Sequence, residues 1–161
     1  MPETITPSLW FDTEAQDAPR FYTSVFKDSR IVKVARFGEG APRPAGMVMS
    51  VEFELDGQRF NAINGGPEFT FDEAVSFRIN CETQDDVDYY WERLSDGGEE
   101  SQCGWLKDRF GLSWQVVPAG LEQVLGDPDR ERARRAMQAM LQMRKLNIAA
   151  LREAADTVTT S

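Results

Sequence analysis

The chain has 161 residues and a formal net charge of −9, with 41% hydrophobic and 28% charged residues, enough for one domain with its own core. It has no clustered basic run to neutralise phosphates and no apolar run near the ~20 residues of a membrane span, so neither nucleic acid nor membrane is an expected partner. It contains no histidine, which removes the commonest transition-metal ligand and the usual general base near neutral pH.

Two cysteines, Cys81 and Cys103, are too few for a disulfide framework, and the first residues lack the basic and apolar regions of a secretion signal. A cytoplasmic protein is the expectation. Ile5 to Phe11 reads as a first strand, with Pro7 near its start. A helix begins near Asp17, where Pro19 is tolerated because the N–H it lacks has no intrahelical partner in the first turn. Phe21, Tyr22, Val25 and Phe26 repeat at helical spacing along its inner face. Ile31 to Phe37 is a second strand, followed by a loop rich in glycine and proline over 38–46. Met47 to Leu55 alternates, with Val51, Phe53 and Leu55 on one face and Glu52 and Glu54 on the other. Asp56-Gly57 joins it to Gln58–Asn64 as a two-residue hairpin turn. Gly65-Gly66-Pro67 breaks that strand, and Val75 to Cys81 forms the next. Thr83, with Asp86 three residues on, caps a helix running through Val87, Tyr90, Trp91 and Leu94 to Gly97-Gly98.

Gln102 to Pro118 reads as two short strands joined by a glycine-ended turn at Asp108 to Gly111. A four-residue loop there sets Trp105 opposite Trp114. Cys103, Trp105, Leu112, Trp114 and Val116 then share an apolar inner face, and Gln102, Gly104, Leu106, Ser113, Gln115 and Val117 share the other. Gly104 would leave room beside the Gln115 amide, open either to a ligand or to a backbone hydrogen bond. Between Gly98 and Gln102 only a vestigial strand is expected. Beyond Pro118, Leu121 to Leu125 makes one or two helical turns, and Asp127-Pro128 opens a longer helix with Pro128 at its first position. Its stripe of Ala133, Ala136, Met137, Met140, Leu141 and Met143 is expected to be buried against the chain itself or a partner subunit. Asn147 caps a last helix with Ile148 and Leu151, and 157–161 is expected to fray.

The pattern repeats. Leu9-Trp10-Phe11, a polar link, then Phe21-Tyr22 and Phe26 is echoed 68 residues later by Phe77-Arg78-Ile79, a polar link, then Tyr89-Tyr90 and Leu94. Each copy is strand, helix, then strands. Asn64-Gly65-Gly66-Pro67, Gln102-Cys103-Gly104-Trp105 and Trp114-Gln115-Val116-Val117-Pro118 are specific as a set. By them the chain resembles the PhnB-like branch of the glyoxalase/bleomycin-resistance/dioxygenase (vicinal oxygen chelate) superfamily. The resemblance implies an α+β fold of two βαβββ modules, over about 1–67 and 68–118, forming a curved, cup-like mixed sheet. Residues 119–161 add C-terminal helices to the same domain.

In glyoxalase-like members a divalent metal is held by side chains that, by the pattern, correspond to positions near Pro7, within Asn61–Asn64, near Ser76, and at Gln115. These are poor transition-metal donors, and no metal or other cofactor is expected. Chains with this motif set also carry the description 3-demethylubiquinone-9 3-methyltransferase. The glycine pairs Gly65-Gly66 and Gly97-Gly98 do not have the strand–glycine loop–helix setting of a usual methyl-donor site. Cys103 has no histidine to activate it and reads as an inert thiol, as does Cys81. Trp10 and Phe69, with Asn64, Gln102 and Gln115 as the few polar groups, form the candidate ligand-binding set, and no catalytic residue is singled out. The leading reading is metal-independent binding of a small organic molecule by a homodimer. Two alternatives stay open: a superfamily enzyme, of lyase, dioxygenase or the labelled methyltransferase type, either metal-dependent or working through carboxylates such as Glu73 or Asp108; and an assembly protein acting through its tail.

Overall fold

The computed structural model describes residues 3–158, and the chain divides into one unit that ends at Thr70 and another that begins at Phe71. The first unit holds β1 (Ser8–Phe11), α1 (Asp17–Val25), β2 (Arg30–Arg36), β3 (Val48–Leu55) and β4 (Gln58–Asn64). Its sheet has the order β1-β4-β3-β2, with β1 parallel to β4 and the rest antiparallel. The turn between β3 and β4 is the one expected: Leu55 pairs with Gln58, and Asp56 (φ 49) and Gly57 (φ 81) both take the left-handed backbone that such a turn needs. Alternation puts Val51, Phe53 and Leu55 under α1, where Tyr22 stacks on Phe53 and Phe53 on Phe60 at ring separations of 6.3 and 5.3 Å.

The second unit repeats the plan with β5 (Ser76–Cys81), α2 (Gln84–Ser95), β6 (Glu99–Glu100), β7 (Trp105–Lys107) and β8 (Ser113–Pro118). Its sheet order, β5-β8-β7-β6, matches the first, again with the opening strand parallel to the last. The α+β class and the two βαβββ modules expected from the sequence are therefore present, and β6 is vestigial at two residues. Thr83 caps α2 as expected, its hydroxyl accepting from the Asp86 N–H. Val87, Trp91 and Leu94 of α2 are buried, as are Leu106, Trp114 and Val116 of the sheet.

The register of β7 and β8 differs from expectation by one residue. Trp105 faces Gln115, and Leu106 faces Trp114. The connection is five residues, 108–112, because Asp108 organises it: its carboxylate accepts the N–H groups of Phe110 and Leu112 and the Trp114 indole N–H. A one-residue slip turns every side chain of a strand over. Leu106 therefore joins the core and Trp105 leaves it. Cys103 and Gly104 precede β7 instead of belonging to it. With φ of 59 and 85 they form a tight turn closed by the Trp105 N–H on the Gln102 carbonyl.

The space beside Gly104 is not open. A Cβ on Gly104 would lie 2.9 Å from Leu146 Cδ1 and 2.9 Å from the Val116 carbonyl oxygen. The tail fills it. Three helices, α3 (Leu121–Leu125), α4 (Arg130–Leu141) and α5 (Ile148–Asp156), follow β8. Between α4 and α5 the chain lies along the 102–104 turn, with the Met143 and Arg144 carbonyls accepting the Cys103 and Gly104 N–H groups. The Gln84 side chain donates to the Leu146 carbonyl and accepts from the Ile148 N–H. Leu146, Leu151, Ala136 and Ala155 are the buried anchors, whereas Met137 and Leu141 are 40% and 54% exposed. The expected burial of the whole Met stripe is thus not met within the chain, because a leucine outside the helix does the anchoring. α4 is capped by Asp129 rather than opened at Pro128, and α5 is capped by Asn147 as expected. Thr157 is tied to the end of α5 by bonds to Glu153 and Ala154, and 159–161 of the expected frayed end lie outside the described residues. Among the described residues no helix is long and apolar enough to cross a membrane.

Candidate functional site

Each sheet has one face under its helix and one face turned the other way, and the second faces carry the polar side chains. In the first unit, strand alternation sets Ser8 and Trp10 of β1, Arg59, Asn61 and Ile63 of β4, and Ser50, Glu52 and Glu54 of β3 on that face. Glu3, Ser8, Glu52, Glu54, Arg59 and Asn61 border a cavity of about 380 Å³ there. Its carboxylates are already engaged. Arg59 reaches Glu54 at 3.0 Å and Glu52 at 3.4 Å, and Arg30 reaches Glu54 from β2 at 3.1 Å. Arg30 and then Arg59, by hydrogen bonds, hold the Glu54 carboxyl below its ordinary pKa. Asn61 donates to the Ser8 hydroxyl at 3.2 Å.

At the end of the same face Trp10 donates its indole N–H to the Gly66 carbonyl at 2.9 Å and meets Phe69 edge-on at 5.0 Å. Its ring lies against Gly65, where any Cβ would come within 2.5 Å. This explains the first glycine of the Gly-Gly-Pro run: it leaves room for the indole. Phe69 is 64% exposed and presents an uncovered ring.

In the second unit the corresponding face carries Ser76 and Arg78 of β5, Ser113, Gln115 and Val117 of β8, and Trp105 and Lys107 of β7. Gln115 donates to the Ser76 hydroxyl at 2.8 Å. Lys107 forms an ion pair with Glu73, which keeps the Glu73 carboxyl below its ordinary pKa and raises that of Lys107.

The five sequence-predicted site residues have different settings. Trp10 and Phe69 are brought together. Gln115 lies on the helix-free face, as pleat alternation requires. Asn64 lies on the opposite face of its strand, 3% exposed, with its carbonyl oxygen accepting the Ala15 N–H and its amide donating to the Val48 carbonyl. It ties the β1–α1 connection to the start of β3. Gln102 is exposed on the turn before β7. Sequence reasoning singled out none of Ser8, Lys107 and Ser113, and reached Asn61 only as one end of the 61–64 stretch. The signal that finds the first of these is the 68-residue echo, which maps Ser76 onto Ser8.

Two amide–hydroxyl pairs stand on these faces, Asn61 with Ser8 and Gln115 with Ser76, each bonded within itself. Neutral amides and hydroxyls do not fit a divalent transition metal. Among the described residues no group of three or more Asp, Glu, His or Cys side chains is placed to hold an ion. Neither glycine pair sits between a strand and a helix: Gly65-Gly66 leads into a loop, and Gly97-Gly98 follows α2. Burial pushes Cys81 up to about 11, helped by the nearby Asp86 carboxylate, and the Cys103 thiol lies 3.6 Å from the Met140 carbonyl. Asp108, considered as a catalytic carboxylate, is 3% exposed with three N–H donors upon it, a structural setting.

The family model described as 3-demethylubiquinone-9 3-methyltransferase matches residues 3–117. Among solved structures, the PhnB protein from Bacillus cereus is similar at 35% identity and a TM-score of 0.67, over 73% of this chain and all of that one. A Pseudomonas aeruginosa protein shares 20% identity with a TM-score of 0.60, over 73% and 98% of the two chains. The fosfomycin resistance protein FosX from Listeria monocytogenes, solved with Mn(II) and sulfate, shares the fold at 13% identity and a TM-score of 0.54, over 78% and 97%. No curated protein matches.

Proposed function

Because the chain belongs to the PhnB-like family of the vicinal oxygen chelate superfamily, matched over 3–117 and 35% identical to the Bacillus cereus PhnB protein, we propose that it binds a small organic molecule without a metal. The carrying observation is two amide–hydroxyl pairs, Asn61 with Ser8 and Gln115 with Ser76, which lie at or beside the positions that the resemblance assigns to metal ligands. Such a pair leaves a carbonyl oxygen and a hydroxyl proton to offer an uncharged polar group, and it gives a dication no charge to bind. The exposed ring of Phe69 beside Trp10 supplies apolar surface in the first unit, and the half-exposed Trp105 beside Gln115 supplies it in the second. Asn64 acts here as a positioning residue.

The test joins elemental analysis to a melting-temperature screen against divalent metals and neutral metabolites, since a ligand of the native state raises the midpoint. Neutral organic compounds are expected to raise it, and Asn61→Ala or Gln115→Ala to reduce the shift. Near one equivalent of zinc, nickel, iron or manganese in the purified protein would overturn the reading. We also propose a homodimer, supported by the exposed apolar side chains of β2 and α4, Ile31 and Val34 with Met137 and Leu141. A monomeric mass by light scattering would overturn that. The two free thiols suit the reducing cytoplasm.

A further inference from the structure

Ser113 is 1% exposed, and its hydroxyl has no hydrogen-bond partner among the described residues. One other buried side-chain atom shares that condition, Arg59 Nε, in a guanidinium whose outer nitrogens already hold Glu52 and Glu54. Proteins rarely bury a polar group unpaired, and the exceptions mark places that a water, an ion or a ligand completes. Ser113 lies beside Ser76 on one side and Lys107 on the other, in one row across three strands. Strand alternation puts it on the face of Gln115 and Trp105, opposite the core-facing Trp114. The Ser76 oxygen is occupied by Gln115. The unmet need in this row is an acceptor for the Ser113 proton.

The charges around it select the acceptor. The Lys107 ammonium is neutralised by Glu73, and Glu99, opposite it on β6, and Asp72 add further negative potential. An anion entering here would meet the Glu73, Glu99 and Asp72 carboxylates around the one ammonium of Lys107, with the Arg78 guanidinium of the same face already paired with Glu122, whereas an uncharged oxygen would not be repelled. Half-exposed Trp105, one pleat from Ser113 on the same face, offers a flat apolar surface. We propose that this face of the second unit takes a planar, uncharged carbonyl compound, its ring on Trp105 and its carbonyl oxygen accepting the Ser113 hydroxyl. The inference rests on the metal-independent ligand reading above and assigns it a ligand class. Reaching a hydroxyl so deeply buried requires a neighbour to move. Lys107, directly opposite and held by the 60% exposed Glu73 side chain, is the long flexible one.

The experiment titrates the full-length protein with benzamide and, separately, with benzoate, following the Trp105 indole N–H by NMR. Benzamide is expected to shift that resonance to saturation, and benzoate to bind more weakly by roughly tenfold, because repulsion by the carboxylates opposes it. Ser113→Ala should weaken benzamide by about tenfold, the equivalent of one hydrogen bond, while its melting temperature stays level or rises because an unpaired hydroxyl has been removed. A lowered melting temperature with unchanged benzamide affinity would show a structural hydroxyl and overturn the proposal. So would equal binding of benzoate and benzamide, no shift with benzamide, or a crystal structure in which a water only occupies Ser113 under saturating benzamide. If the melting screen still finds ligands sensitive to Gln115→Ala in those cases, the broader binding reading stands and only the Ser113 subsite falls. If no ligand of any charge binds, both fall.

Discussion

Replacing Asp108 by alanine tests the account of the β7–β8 register directly. Its carboxylate accepts from the Leu112 N–H at 3.1 Å, the Trp114 indole N–H at 2.9 Å and the Phe110 N–H at 2.8 Å. The first two donors are buried, and each left without an acceptor should cost about 1–3 kcal/mol. Phe110 N–H is half-buried and can turn to water, so it adds little. Removing the carboxylate also relieves its own desolvation, which offsets part of the loss. The expected destabilisation is therefore roughly 2–5 kcal/mol, read as a lower urea midpoint at unchanged slope. Asp108→Ala combined with Trp114→Phe gives a cycle in which the pair should couple by about 1.5–3 kcal/mol, the range for a hydrogen bond to a charged group. A single mutant costing under about 1 kcal/mol, or additive effects within ~0.5 kcal/mol, would refute the assignment of Asp108 as organiser of the loop.

Leu146→Ala should cost about 2–5 kcal/mol, because this fully buried side chain fills the space over Gly104, and unchanged unfolding would show the tail is not anchored there. Gly104→Ala should also destabilise, since φ is +85 and a Cβ would press on Leu146 and the Val116 carbonyl; a neutral result would contradict the close approach. The raised Cys81 pKa has a signed consequence. The unfolded thiol ionises near 9 and the folded one near 11, so stability is fully present below pH 9 and falls by roughly 2–3 kcal/mol as pH rises to 11. Cys81→Ala should lose that part of the alkaline decline, and an identical decline in the variant would count against it. With a thiol reagent in the native protein, Cys103 should label well before Cys81; simultaneous labelling would place Cys81 outside the core.

Much of the fold was legible because its signals are local. Asp56-Gly57 fixes a hairpin within four residues, Thr83 and Asn147 cap helices through bonds three residues long, and the 68-residue echo shows two like modules. The absence of histidine was legible as a count, and pleat alternation placed Gln115 on its face. The remaining features depend on contacts between residues far apart in the chain. The Asn61–Ser8 and Gln115–Ser76 pairs join positions 53 and 39 apart, and the tail carbonyl that holds Gly104 comes from Arg144. Composition put the Met stripe in a buried interface, yet Leu146 was the better plug for the gap a glycine leaves. Trp105 and Trp114 looked equally apolar, but a sheet register can slip by one residue at little local cost while inverting every side chain. That choice was settled by where a buried carboxylate at Asp108 finds its three N–H donors.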